Sequence, residues 1–378
     1  MPIYLDCNAT TPVEPAVAKL AARFLEQDFG NPASPIHDYG LFARAAVEHA
    51  RAQIARVVAA RPDEVIFTSG ATEANNIAIL GLAQAALNAG KRHVITTAIE
   101  HKAVLEPFEA LGRLGFEVEI LPAGADGRFA PQQLAAALRP DTALVSTIQV
   151  NNETGVVQPL AEVAQVLAQH PAWWHVDAAQ GFGKELEQLR QPRIDLLSIS
   201  GHKIYAPKGV GALIARKRNA TLPPLQPLMF GGGQEQGLRP GTLPVPLIVG
   251  LGEAAKLALR EQEQRRERCR AFRAQALAAL ARLDVIQNGA EAHCLPHVVN
   301  VSVPGISSDQ AIHALKDVIA ISSTSACTSH TRTPSHVLAA MGLSSELAES
   351  SLRLSWCHLT PAVDWERVID ILQQLRQA

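Results

Sequence analysis

From Val65 to about Arg216, short runs rich in β-branched residues alternate with longer alanine- and leucine-rich stretches, the pattern of strands joined by helical crossovers. The predicted strands are Val65-Ile66-Phe67, His93 to Thr96, Phe116 to Ile120, Ala143 to Ser146, His175-Val176 and Ile194 to Ile199. That order implies an α/β fold with a mainly parallel sheet. Each run ends in polar residues, and ligands of an open α/β sheet collect where carboxyl ends of strands meet loops and helix starts. Between Leu222 and Pro246 the chain turns rich in Pro and Gly, and a long helix is predicted from about Val249 to Leu283. Strands at Val298 to Val303 and Leu352 to Trp356 then suggest a smaller α+β unit. The expected division is a large domain over 15–258 and a small one built from 1–14 and 259–378. The charge run from Arg260 to Arg268 reads as a solvated helix face. No internal repeat or low-complexity tract is present.

Composition narrows the class. The 378 residues are 47% apolar and 19% charged, ordinary for a globular protein. A formal charge of −2 and a pI near 6.7 supply no basic field for nucleic acid or anionic lipid, so direct nucleic-acid binding is not expected. The start MPIYLDCNATTP has no basic region followed by an apolar run, and no stretch approaches the roughly 18 apolar residues of a membrane span. A cytoplasmic protein is expected, with no membrane partner. Five cysteines (Cys7, Cys269, Cys294, Cys327, Cys357) form a scattered set without a C-x-x-C pair, which speaks against a disulfide framework or a zinc site.

Three polar strand ends carry candidate chemistry. In Ser198-Ile199-Ser200-Gly201-His202-Lys203, a buried strand runs into a lysine; desolvated there, an amine can lose its proton and condense with an aldehyde. A lysine at a strand end is otherwise a surface charge, but Ser200 and His202 flank Gly201 as phosphate-binding side chains. In Phe67-Thr68-Ser69-Gly70-Ala71-Thr72-Glu73, small residues precede a predicted helix start, whose free amides and dipole suit a phosphate as well as they suit a simple cap. In Trp174-His175-Val176-Asp177-Ala178-Ala179-Gln180, a carboxylate at a strand end can keep a pyridine nitrogen protonated, although Asp there is commonly a turn residue. His101 and Asn151-Asn152 follow two further strands.

These segments resemble the cysteine desulfurases of the NifS and IscS type, within the class V aminotransferase group. LDCNATTP, FGNPAS, FTSGATEANN, EHKAV, VNNETGVVQP, HVDAAQ, SGHKIYAPKGVGAL, GGGQEQGLRPGT, SSTSACTS and SLRLS occur in the family's order and spacing over essentially the whole chain. The resemblance implies the aspartate-aminotransferase-like fold type I of pyridoxal 5'-phosphate enzymes, with the cofactor in the large domain. It implies Lys203 as the Schiff-base lysine, Asp177 on the pyridine nitrogen, Gln180 on the ring phenol oxygen and His101 stacked on the ring, assisting proton transfer. Ala71, Thr72, Ser200 and His202 would bind the phosphate, with Thr242 reaching in from the other subunit of a homodimer, and Asn152 and Arg353 would hold the substrate carboxylate.

Cys327, in a Ser- and Thr-rich loop of the small domain, is by the same resemblance the residue that takes sulfur from L-cysteine as a persulfide. L-Alanine would be released and the sulfur passed to an acceptor protein. Its setting is similar to the long-loop class, in which the loop swings outward with its sulfur. Thr324 stands where the family usually has Gly, and Pro240 where it usually has Ser. The LDCN start and the Cys327-Thr328-Ser329-His330 loop look like desulfurases of DNA phosphorothioation systems; iron–sulfur cluster assembly and tRNA thiolation are the other routes open. Transamination or selenocysteine lysis on the same cofactor, and a scaffold without catalysis, are the rival readings.

Overall fold

The computed structural model describes residues 1–323 and 335–377. Its centre is a seven-stranded sheet. The first strand of the chain, β1 (Ile3–Tyr4), lies outside it; the seven are β2 (Val65–Thr68), β3 (His93–Thr97), β4 (Glu117–Leu121), β5 (Thr142–Ile148), β6 (Trp173–Asp177), β7 (Leu196–Ser200) and β8 (Gly211–Ala215). They lie in the order β2-β8-β7-β6-β5-β3-β4, parallel except for β8, which is antiparallel to both neighbours. Most of these strands are buried along their length, as the near-continuous apolar runs of a sheet covered on both faces require. The helix Lys102–Arg113 shows how the cover forms: Val104, Phe108 and Leu111 recur at helical spacing and are buried.

A second sheet orders β12 (Ser322–Ser323), β13 (Ser351–Ser355), β10 (Val298–Ser302) and β9 (Ile286–Gln287), all antiparallel. Beside it β1 pairs in parallel with β11 (Ile319–Ala320). The helix Val245–Leu280 starts four residues before its predicted beginning and, at 36 residues, is about 54 Å long. Its first half packs Val245, Ile248, Leu251 and Ala255 into the core under the large sheet, and its second half sends Cys269, Ala276 and Leu280 into a separate core with Leu5, Val301 and Leu354. The charge run is solvated with one exception. Arg265 is buried, because Glu14 at 3.1 Å and Glu261 at 2.9 Å both meet its guanidinium.

Candidate active site

The carboxyl ends of β6 and β7 lie side by side, and the turns that leave them bring the candidate residues together. Asp177 closes β6, 3% exposed. One of its oxygens accepts a hydrogen bond from Asn75 Nδ2 at 2.8 Å and the other from the Ala179 amide at 2.9 Å. Beyond β7, the turn Gly201–Lys203 presents Lys203, whose Nζ donates to the carbonyls of Asn8 and, at 2.9 Å, Ala9. Gln180 Nε2 donates to that same Asn8 carbonyl at 2.9 Å. Asn8 in turn reaches Asn152, its Nδ2 donating to the carbonyl at 3.0 Å, and its own amide is held by Ser355 Oγ at 2.9 Å. Asn8 is therefore the hub that joins Lys203, Gln180 and Asn152.

Arg353 enters from β13 of the other sheet. It donates to the Asn152 carbonyl at 3.2 Å and pairs with Asp6 at 2.7 Å, while Ser322 Oγ also donates to Asp6 at 2.9 Å. Arg353 and Asn152 are thus adjacent, with Asp6 fixing the guanidinium. His101 ends the loop after β3 and caps the helix Lys102–Arg113, its Nδ1 accepting from the Ala103 amide at 3.0 Å. Burial, against the pull of Asp177 and with the help of Lys203, lowers its pKa. An accepting Nδ1 requires the neutral ring with its hydrogen on Nε2.

Ala71 and Thr72 open the helix Ala71–Leu80, whose cap residue, Gly70, supplies no side-chain acceptor, so no cap claims the first amides. The turn needs glycine twice over. A Cβ on Gly211 of β8 would sit 2.6 Å from Gly70 Cα, and one on Gly201 would sit 2.9 Å from the Val210 carbonyl. A Cβ on Gly70 would lie 3.7 Å from Ser200 Oγ, so the two turns face each other. His202 Nδ1 bonds Thr10 Oγ1 at 3.1 Å, and burial together with Lys203 lowers its pKa to about 4, leaving a neutral ring. Gln180 Oε1, Asn8 Oδ1 and Arg353 Nε are buried without a hydrogen-bond partner among the described residues. Unclaimed polar atoms, an uncapped helix start, an amine and a buried carboxylate together suit a pyridoxal phosphate.

Thr242 is not part of this cluster. It is exposed and lines a groove of about 510 Å³ with Asn31, Arg51 and Glu235, and Pro240 lies against Gly231 nearby. Cys327 and Thr324 fall outside the described residues. Reading the sequence missed Asp6, Asn8 and Asn75; the first two stand in the LDCN start and the third one helical turn after Ala71, but nothing local announces that they meet Arg353, Lys203 and Asp177. It also missed His175, buried between Ser146 Oγ at 2.7 Å and Ser198 Oγ at 2.9 Å under the site, with its pKa pushed by burial to about 3.

The family model "Aminotransferase class-V" matches residues 3–368. The chain belongs to that family. Its full-length relatives include the cysteine desulfurase IscS of Methylococcus capsulatus, 45% identical over 99% of this chain and 92% of that protein. The human cysteine desulfurase is 43% identical over 100% of this chain and 83% of its own length. Among solved structures, DndA from Streptomyces lividans is 50% identical with a TM-score of 0.83, covering 94% of this chain and 98% of that one. SspA in complex with cysteine is 37% identical, with a TM-score of 0.83, over 95% and 100% of the two chains. Within the family the chain stands among the cysteine desulfurases.

Proposed function

We propose that this chain converts L-cysteine to L-alanine and passes the sulfur to Cys327 as a persulfide, with pyridoxal phosphate held by Lys203. The observation that carries the reading is the meeting of Lys203, Gln180 and Asn152 on Asn8, with Asp177 buried beside them. Bound there, the cofactor acts as an electron sink for the substrate Cα. Asp177, held on both oxygens, would meet the ring nitrogen. Lys203 would hold the cofactor and, once freed, move the Cα proton. Arg353, oriented by Asp6, and Asn152 would hold the substrate carboxylate. His101, with hydrogen on Nε2, would offer a donor beside the ring. Cys327 as thiolate takes the substrate sulfur.

The active unit in this reading is a homodimer, which would give exposed Thr242 a partner site. Phe29 stacked on Tyr39 at 5.6 Å, together with Ile36, Leu41, Met229 and Phe230, presents exposed apolar surface, and segments 31–33 and 234–236 line the Thr242 groove between them. The acceptor is a partner protein. The LDCN start, the Cys327-Thr328-Ser329-His330 loop and the 50% identity to DndA support a place in the phosphorothioation type. That role needs no contact with DNA by this chain, and a cytoplasmic site accords with it.

Borohydride reduction of the purified holoenzyme tests the lysine. It should fix the cofactor covalently to the peptide containing Lys203, and Lys203→Ala should leave no such adduct; trapping on Lys208 instead would overturn the assignment.

A further inference from the structure

Directly behind the Lys203 turn lies a group of residues with no place in the mechanism above. Cys7 precedes Asn8, and Cys357 stands two residues beyond β13. The Cys7 amide donates to the Ser355 carbonyl at 3.0 Å, which draws the two segments alongside each other. Their side chains pack with Tyr205 into one small buried cluster, Cys7 2% and Cys357 5% exposed. Within it the two cysteine side chains are neighbours, close enough for each thiol to act on the other's hold on its proton. The Thr360 hydroxyl donates to the Cys357 sulfur at 3.7 Å.

Tyr205 also lines an internal cavity of about 30 Å³, shared with Lys184, Cys269 and His297, roomy enough for a water-sized molecule. Lys184 Nζ is buried there without a hydrogen-bond partner among the described residues. A buried ammonium so placed is costly unless a negative charge lies close. The groups whose charge favours its protonation are the sulfurs of Cys7, Cys269 and Cys357. At Cys357 the neighbouring Cys7 outweighs burial and lowers the thiol's pKa, while that of Cys7 is pushed up. Of the two, Cys357 gives up its proton more readily. Most buried cysteines are inert small hydrophobes. Cys294, pushed up by burial to about 11, and Cys269, to about 12, fit that description.

We propose that Cys7 and Cys357 form a redox-active dithiol, an oxidation site separate from Cys327, which hydrogen peroxide closes to a disulfide. The Cys357 thiolate attacks one peroxide oxygen; the O–O bond breaks, and the departing hydroxide takes a proton to become water. Cys357 is then a sulfenic acid. Cys7 attacks that sulfur, its proton leaving with the hydroxyl as a second water while the S–O bond breaks. Two thiols are oxidised by two electrons in all, and one peroxide is reduced to two waters.

Peptide mapping after brief exposure of the reduced holoenzyme to hydrogen peroxide and alkylation tests this. A linked pair of peptides containing Cys7 and Cys357 should appear and vanish with dithiothreitol, while Cys269 and Cys294 remain alkylated as free thiols. In Cys7→Ala, dimedone should trap a sulfenic acid on Cys357; in Cys357→Ala, Cys7 should stay reduced. Because the wild-type map needs neither variant, a variant that fails to fold leaves the test standing. Absence of the Cys7–Cys357 link, or oxidation of Cys294 as readily as of Cys357, would overturn the proposal.

Discussion

Glu100, next to His101, is fully buried. Its Oε1 accepts from Thr97 Oγ1 at 2.6 Å and from the Ile148 amide at 2.7 Å, while Oε2 has no partner among the described residues. Burial, reinforced by the charge of Asp177, raises its pKa to about 8, so the carboxyl is neutral at pH 7. A raised folded-state value adds stability that is complete below the ordinary value of 4.5 and is lost as pH climbs through about 8. Glu100→Gln, which keeps the shape and cannot ionise, should therefore gain on the wild type by something on the order of 4 kcal/mol between about pH 5 and 9. Urea midpoints across that range would show it; parallel pH curves for the two proteins would mean Glu100 is ionised in the fold. At this scale the sequence was legible where a residue type announces chemistry, as Lys203 and Asp177 do. It was silent on Asn8, which takes Lys203 and Gln180 on a backbone carbonyl that any residue possesses and reaches Asn152 through its side chain.

The elements carry these residues to their places through their ends. His101 is both the residue placed at the site and the cap of the helix Lys102–Arg113. The two roles separate by substitution. His101→Ala should cost about 1 kcal/mol of stability through the lost cap and also lower turnover. His101→Asn, with a side-chain oxygen able to accept from Ala103, should recover most of the stability and none of the turnover. Full turnover in the asparagine variant would reduce His101 to a cap. The predicted strands of the large sheet all exist, to within a residue or two at their ends: five of them bury four to seven consecutive residues, and the edge strand β4, with only Leu121 buried, is marked instead by its alternating Val118 and Ile120. Those missed are of two kinds. β1, β9, β11 and β12 are two residues each, too short for any period to register. β8, Gly-Ala-Leu-Ile-Ala, is poor in β-branched residues and is a strand because Gly211 permits close approach to Gly70.

Over the whole molecule, the site is assembled from two sheets and the chain's N-terminal segment: Lys203 and Asp177 from the large sheet, Arg353 from β13, and Asp6 and Asn8 bridging them. No helix among the described residues is long and apolar enough to cross a membrane, and no group of His, Cys, Asp or Glu there could hold a metal ion. Phe230, 89% exposed, belongs to the apolar surface that the proposed dimer would cover. Phe230→Asp should shift the protein from dimer toward monomer in sedimentation velocity and lower its activity with it; an unchanged dimer would place the interface elsewhere. In the proposed reaction, Cys327 is the residue on which sulfur transfer turns. The holoenzyme should be exposed briefly to L-cysteine without reductant, and its five cysteine peptides weighed. One extra sulfur atom on the Cys327 peptide, with L-alanine released and neither found in Cys327→Ser, is the result expected. Sulfur on another cysteine, or a ketoacid in place of alanine, would contradict the account.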